Sequence, residues 1–188
     1  MPAGAITGAV RRYPFLFLFI VGALLLTLTR PCFRRIPAPP PKSGHLPEVA
    51  LADAYGRPVD ATTLRGTVWV VWLHDAACGA PCDAALGHLR EIGSMYDEER
   101  LESVRLLDVA AGGTPGDSGT PRILVAGAGE QAAAVLAAAL GAAVPVPAPG
   151  RLAIVDRDGD LRGSYAADAS GFDEVYNRAQ HVAGEKRR

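Results

Sequence analysis

An apolar run at Thr67–Leu73 dominates the hydrophobic pattern in the middle of the chain. Most of its residues are β-branched or aromatic, and polar positions do not alternate with apolar ones along it. This pattern predicts a central strand that is buried on both faces of a sheet. The polar residues His74 and Asp75 mark the predicted end of the strand.

A helix is predicted to follow this strand after a short turn. From Pro81 onward, apolar residues recur on one helical face, namely Leu86, Leu89 and Ile92. Two cysteines, Cys78 and Cys82, lie where the turn becomes the helix. A thiol near a helix N-terminus has a lowered pKa, which favours the reactive thiolate. The stretch therefore predicts a reactive thiol pair at a strand-to-helix turn.

The rest of the pattern alternates strand and helix signals. The predicted strands are a leading hairpin around Asp53–Gly56, then Ser103–Val109, Arg122–Val125, Arg151–Val155 and Leu161–Tyr165. The predicted helices are Glu130–Leu140 and Gly171–Val182. This order predicts an α/β fold, a mixed central sheet with helices on both faces. The cysteines lie at the carboxyl end of the central strand, where α/β folds keep their sites.

Residues 13–29 carry no charge, and as a helix they would span about 26 Å, close to the hydrocarbon core of a bilayer. Arg30, Pro31 and Cys32 follow, where a cleaved signal peptide would have small residues. We therefore expect an uncleaved, single-pass anchor. Arginines flank both ends of the run, so charge alone does not set its orientation. Cys32 is interpreted as incidental or as an acylation site.

The composition divides the chain into five parts. They are a tail at 1–12, the anchor at 13–29, a Pro-rich linker at 30–46, an α/β domain at 47–183 and a charged tail at 184–188. The net charge is −1 and no basic patch stands out, which excludes nucleic acid as a partner. One close cysteine pair in a cysteine-poor chain favours redox or metal chemistry over a disulfide scaffold. The spacing suits a disulfide, and two thiolates also suit Cu(I).

These features resemble the Sco/SenC family of membrane-anchored copper proteins, which have a thioredoxin-like fold. The family's C-x-x-x-C matches Cys78–Cys82, and its Asp followed by Thr-Pro is similar to Asp108 with Thr114-Pro115. Leu152–Tyr165 resembles the family's late hairpin. The resemblance implies copper as a ligand, cytochrome c oxidase as a client, and a domain outside the cytoplasmic membrane, in the periplasm.

The chain departs from the family at its third copper ligand. The resemblance places that histidine at Ala148, within a Pro-rich loop. His74 is a candidate replacement, although a capping or surface role is the favoured interpretation. The loop is also similar to the one that carries a cis-proline beside the cysteines of thioredoxins, and Pro149 is the candidate for that position.

Three hypotheses follow from the residues and the resemblance. The first is a Sco-like protein that uses Cys78 and Cys82 for copper delivery or thiol redox in oxidase assembly. The second is a thiol–disulfide oxidoreductase that needs no metal and acts on a client's cysteine pair. The third is a membrane-tethered interaction module with a vestigial site. The missing histidine counts against copper, whereas the C-x-x-x-C spacing favours the first hypothesis.

Overall fold

The computed structural model describes residues 15, 18–25, 39–113 and 116–185. Residues 18–25 are helical, and among the described residues no helix has both the length and the hydropathy of a membrane span. Cys32 and Thr114-Pro115 lie outside the described residues. The strands and helices that follow all belong to one compact unit, Ala38–Arg188.

Eight strands form this unit's sheet. They are β1 Gly44–His45, β2 Leu51–Asp53, β3 Pro58–Val59, β4 Val68–Asp75, β5 Val104–Ala111, β6 Ile123–Ala128, β7 Arg151–Val155 and β8 Asp160–Ala166. Four helices accompany them, α1 Ala61–Leu64, α2 Ala80–Glu98, α3 Glu130–Ala139 and α4 Ala169–Gly184.

The sheet is mixed, with the spatial order β1-β8-β7-β4-β5-β6-β2-β3. Strand β4 pairs in parallel with β5 and antiparallel with β7. Every residue of Val68–Leu73 is buried, as expected for a central strand covered on both faces. The predicted α/β sheet is confirmed, with β4 at its centre.

Alternate residues of β4 enter two separate cores. Trp69, Val71 and Leu73 face the side covered by α1 and α3. Val68, Val70 and Trp72 face the side covered by α2 and α4. Because side chains alternate along a strand, one apolar run supplies both cores. The prediction of helices on both faces is confirmed.

The central strand runs two residues further than its predicted end. His74 and Asp75 continue the parallel ladder, opposite Ala110 and Ala111 of β5. The prediction that these polar residues end the strand was wrong because it considered polarity alone. Backbone pairing with β5 holds them in the strand, and their side chains are half-buried.

The end of the predicted linker is part of the sheet. Gly44 and His45 pair with β8, and the Nε of Arg162 donates to the carbonyl of Pro40 at 2.7 Å. The Nζ of Lys42 lies 2.5 Å from a carboxylate oxygen of Asp160. Composition indicated a Pro-rich spacer, but these long-range contacts to the hairpin join its last residues to the domain.

Candidate functional site

A disulfide joins Cys78 to Cys82 at the start of α2, with their Cα atoms 5.7 Å apart. Cys82 is 7% exposed, whereas Cys78 is half-buried. Cys78, the cysteine before the helix, is therefore the more exposed residue of the pair. The structure brings the predicted pair together as a bond.

Backbone hydrogen bonds shape the turn that carries the pair. The N–H of Cys78 donates to the carbonyl of Asp75 at 3.1 Å, and the N–H of Ala77 donates to the Asp75 carboxylate at 2.7 Å. Gly79, at the helix N-cap, has a φ of 64°, a backbone conformation that favours glycine. The cysteines lie in the turn that begins α2, where the helix dipole stabilises negative charge.

The Pro-rich loop meets the cysteines at Pro149. Its peptide bond to Ala148 is cis, as the resemblance implied for this position. The Pro149 carbonyl accepts a hydrogen bond from the indole Nε1 of Trp72 at 2.9 Å and lies 3.7 Å from the Sγ of Cys82. The buried strand β4 and this loop therefore hold one carbonyl against the disulfide.

Gly150 allows the loop to approach β4 this closely. A Cβ at Gly150 would lie 2.4 Å from the carbonyl oxygen of Leu73 and 2.8 Å from the Nε1 of Trp72. Its φ is 110°, which side-chain-bearing residues rarely adopt. Only glycine fits between the loop and the strand here.

His74 and Asp108 form a second pair next to the disulfide turn. The Nε2 of His74 lies 2.8 Å from the Oδ1 of Asp108, and its Nδ1 lies 3.0 Å from the carbonyl oxygen of Asp75. The two side chains are only 13% and 9% exposed. The favoured interpretation of His74 as a capping or surface histidine was wrong, since the extended β4–β5 ladder places it opposite Ala110, diagonally across from Asp108.

Two opposing effects set the pKa of His74. Burial alone lowers the pKa, because it penalises the charged imidazolium. The hydrogen bond and charge of Asp108, with smaller effects from Asp75, raise the pKa by more. The net result is a pKa above the ordinary 6.5, so that the pair favours a protonated His74.

The side chains near the disulfide determine which oxidation state of copper the site could bind. Within the described part of the chain, no three His, Cys, Asp or Glu side chains lie together as metal ligands. Both ring nitrogens of His74 have hydrogen-bond partners, and Ala148 is exposed where the resemblance placed a histidine. The site therefore offers a metal two sulfurs once the disulfide is reduced. Soft Cu(I) accepts thiolate ligands, whereas Cu(II) prefers a tetragonal set of nitrogen and oxygen donors.

Sequence reasoning missed two features of the site. The first is the hydrogen bond between the indole of Trp72 and the Pro149 carbonyl, because a tryptophan in an apolar run indicates only burial. The second is the contact of Gly113 with the cysteine turn, where an added Cβ would lie 2.2 Å from the Cβ of Ala76. The glycines of that loop were the available signal, since close backbone approach is one reason for glycine.

Comparison with known proteins identifies the fold. BsSco, a Sco-family cytochrome c oxidase assembly protein with a disulfide switch, superposes with a TM-score of 0.65 at 15% identity, over 80% of this chain and 99% of its own. The copper-bound ScoI of Bradyrhizobium japonicum superposes with a TM-score of 0.54 at 14% sequence identity, and the match covers 72% of this chain and 98% of ScoI. A Chlorobium tepidum protein described as the thiol:disulfide interchange protein DsbE superposes with a TM-score of 0.56 at 15% sequence identity. The match covers 77% of this chain and 99% of that protein.

No protein-family model matches the chain, and no curated protein sequence does. The structural matches show that the chain has a Sco-like thioredoxin fold, which confirms the predicted resemblance at the level of the fold. Sco proteins and a thiol:disulfide interchange protein share this fold, so the activity has to be argued from the site itself.

Proposed function

We propose that this protein is a thiol–disulfide exchange protein whose redox pair is Cys78 and Cys82. The observation that carries the proposal is the disulfide at the N-terminus of α2, with Cys82 buried against the Pro149 carbonyl and Cys78 partly exposed. A disulfide between unequally exposed cysteines, beside a helix N-terminus, is opened preferentially at the more exposed cysteine.

The exchange follows from that difference in access. A thiolate of a client dithiol attacks the Sγ of Cys78, which forms a client–Cys78 mixed disulfide and releases Cys82 as a thiolate. The client's second thiolate then attacks the mixed disulfide at the client sulfur and releases Cys78. The client dithiol is thereby oxidised to a disulfide, and the protein's disulfide is reduced to a dithiol by the same two electrons. In the reverse direction the dithiol reduces a client disulfide.

Copper delivery is the second candidate function, and the observation that favours it is the C-x-x-x-C pair on a Sco-like fold. Copper is then cargo, held as Cu(I) by the thiolates of Cys78 and Cys82. The oxidase-assembly role of BsSco supports a client such as cytochrome c oxidase. Residues 13–29 would anchor the chain in the cytoplasmic membrane with the domain in the periplasm, a compartment in which disulfides persist.

The exchange is tested on the full-length chain, purified with a mild detergent, by trapping mixed disulfides with glutathione. In the C32S background, C82S should accumulate one glutathione on Cys78, because no second thiol displaces it. C78S should react much more slowly, because Cys82 is buried. C32S serves as the control and should behave as wild type. Equal reaction of C78S and C82S would contradict a directional site.

Copper is tested by titrating the reduced chain with Cu(I) against a chromophoric competitor. One Cu(I) should bind to wild type and C32S, and none to the C78S/C82S double variant. Cu(II) should bind weakly, since the two sulfurs lack a third donor. Exchange without Cu(I) binding would support the redox function and contradict copper delivery. Failure of both assays would favour an interaction module with a vestigial site.

A further inference from the structure

The hydrogen-bond partners of His74 suit the charged form of its ring. The carbonyl oxygen of Asp75 can only accept, so the facing Nδ1 of His74 carries a proton. An ionised carboxylate likewise only accepts, so the Nε2 facing Asp108 carries the second proton. An imidazole with N–H groups on both nitrogens is an imidazolium. The site thus places a cation at the end of β4.

The surroundings of His74 suit a cation. Its ring stacks on the indole of Trp72 with centroids 4.1 Å apart and planes inclined by 22°, and an aromatic face attracts positive charge at this range. The ionisable groups that act on it are Asp108 from β5 and Asp75 from its own strand. On the loop side it meets Gly150, which is not ionisable.

The register of the sheet orients this ion pair. Asp108 lies opposite Trp72, whereas His74 lies opposite Ala110, two positions nearer the carboxyl end of the strands. The disulfide turn follows that end. The positive member of the pair therefore lies on the side of the cysteines, and the carboxylate lies deeper in the sheet.

Shared neighbours connect His74 to both cysteines. The Asp75 carbonyl that accepts from its ring also accepts from the N–H of Cys78 at 3.1 Å. On the other side, a Cβ added at Gly150 would lie 3.0 Å from the Cβ of His74, so the two residues pack closely. The preceding carbonyl, that of Pro149, lies 3.7 Å from the sulfur of Cys82.

We propose that His74, held by Asp108, is a positioning residue of the redox pair, a buried imidazolium that fixes the cysteine turn and stabilises the thiolate released on reduction. The proposal rests on the thiol–disulfide exchange described above. A nearby cation favours the charged form of a thiol, which lowers its pKa and makes the dithiol easier to form from the disulfide. Asp108 acts through His74, because it keeps the imidazole protonated at neutral pH.

The test measures alkylation of the reduced full-length chain by iodoacetamide, a neutral reagent, against pH. H74Q should lower the rate roughly tenfold at about pH 5.5, the change expected for a thiol pKa that is higher by about one unit. D108N should approach H74Q at about pH 7.5, because burial lowers the pKa of His74 once Asp108 is neutral, and should recover toward wild type as the pH falls and protonates the histidine. This crossover is a result that loss of packing alone would not produce.

H45Q is the matched control. The Nδ1 of His45 lies 2.9 Å from a carboxylate oxygen of Asp160, so this variant removes a second histidine–aspartate pair, near the hairpin turn. Its alkylation profile should be that of wild type. The C32S background removes the remote thiol from all measurements.

The outcomes separate the two proposals. If wild type exchanges with glutathione and H74Q has the wild-type alkylation profile, the role of His74 is overturned and the exchange function stands. If wild type shows neither exchange nor a lowered thiol pKa, both are overturned. Should H74Q fail to fold, the D108N profile decides: a deficit that does not shrink as the pH falls would overturn the role of His74 as a cation.

Discussion

The two ends of the sheet each hold a buried ion pair, and the pairs differ in what surrounds them. Near the β7–β8 hairpin, the Nη1 of Arg162 lies 3.1 Å from Asp156, while its Nη2 lies 2.7 Å from Glu185. At the carboxyl end of β4, His74 lies 2.8 Å from Asp108, next to the disulfide turn. Both pairs are shielded from water, but only the second has a redox group beside it.

This difference separates structural charge from functional charge. The guanidinium of Arg162 has three acceptors in the chain, and Asp156 also accepts from two hairpin N–H groups, so the charges of this cluster are satisfied as it stands. At the other end, reduction of the disulfide would create negative charge in the turn that follows His74. Burial of an ion pair therefore does not identify a site, whereas adjacency to a group that changes charge does.

The largest expected effect is at the hairpin end. Arg162→Met would leave Asp156 buried without its main counter-charge, which should lower the free energy of unfolding by about 3 kcal/mol. The reactivity of the thiols should not change, since this pair lies far from them. Urea unfolding and the alkylation profile together check this. A changed alkylation profile in the folded variant would contradict the conclusion that the Arg162 ion pair has no effect on the thiols.

A smaller effect is expected at Gly150, at the cysteine end. Gly150→Ala would push a methyl group against the Leu73 carbonyl in a conformation with φ of 110°, which should cost about 2 kcal/mol of stability. Unlike Arg162→Met, it should also change the glutathione exchange rate, because the loop carries the Pro149 carbonyl. Gly141→Ala is the control, since its φ is also positive, at 65°, and an added Cβ meets nothing within 4 Å. A similar change in exchange for both variants would contradict a local effect.

The smallest effect concerns pH. The pKa of His74 is raised on folding, so its contribution to stability is fully present below the unfolded value near 6.5 and is lost as pH rises through the folded pKa. The free energy of unfolding of wild type should therefore decline over that range. Its difference from H74Q should narrow in parallel, as measured by urea unfolding at a series of pH values. A difference that is constant with pH would contradict a charged His74.

The sequence predicted the parts of the fold that depend on local pattern. The strand predicted at Thr67–Leu73, the helix after Pro81 and the two strands Arg151–Val155 and Leu161–Tyr165 are all present, because burial on both faces, helical spacing and strand pattern each leave a local signal. The cysteine pair was also predictable, since Cys78 and Cys82 are close in the chain.

Features that depend on strand register were not predictable. The partnership of His74 with Asp108 requires β4 and β5 to be aligned residue by residue, and no property of either residue alone indicates it. Likewise, the pairing of Gly44 and His45 with β8 joins positions more than 100 residues apart. Such contacts are set by the packed sheet rather than by neighbouring residues.

The position of β1 has a mechanical consequence. Its partners lie at the start of β8, beside the turn of the β7–β8 hairpin. The cysteine turn follows the carboxyl end of β4, at the other end of the strands. A strand of eight residues such as β4 is about 25 Å long. Tension applied to the chain before residue 39 would first load the contacts of Pro40 with Arg162 and of Lys42 with Asp160, and then the hydrogen bonds from Ser43 to Leu161 and from Leu46 to Gly159. Force carried by the N-terminal segment would thus be borne at the hairpin, and the geometry around the two sulfurs would be spared.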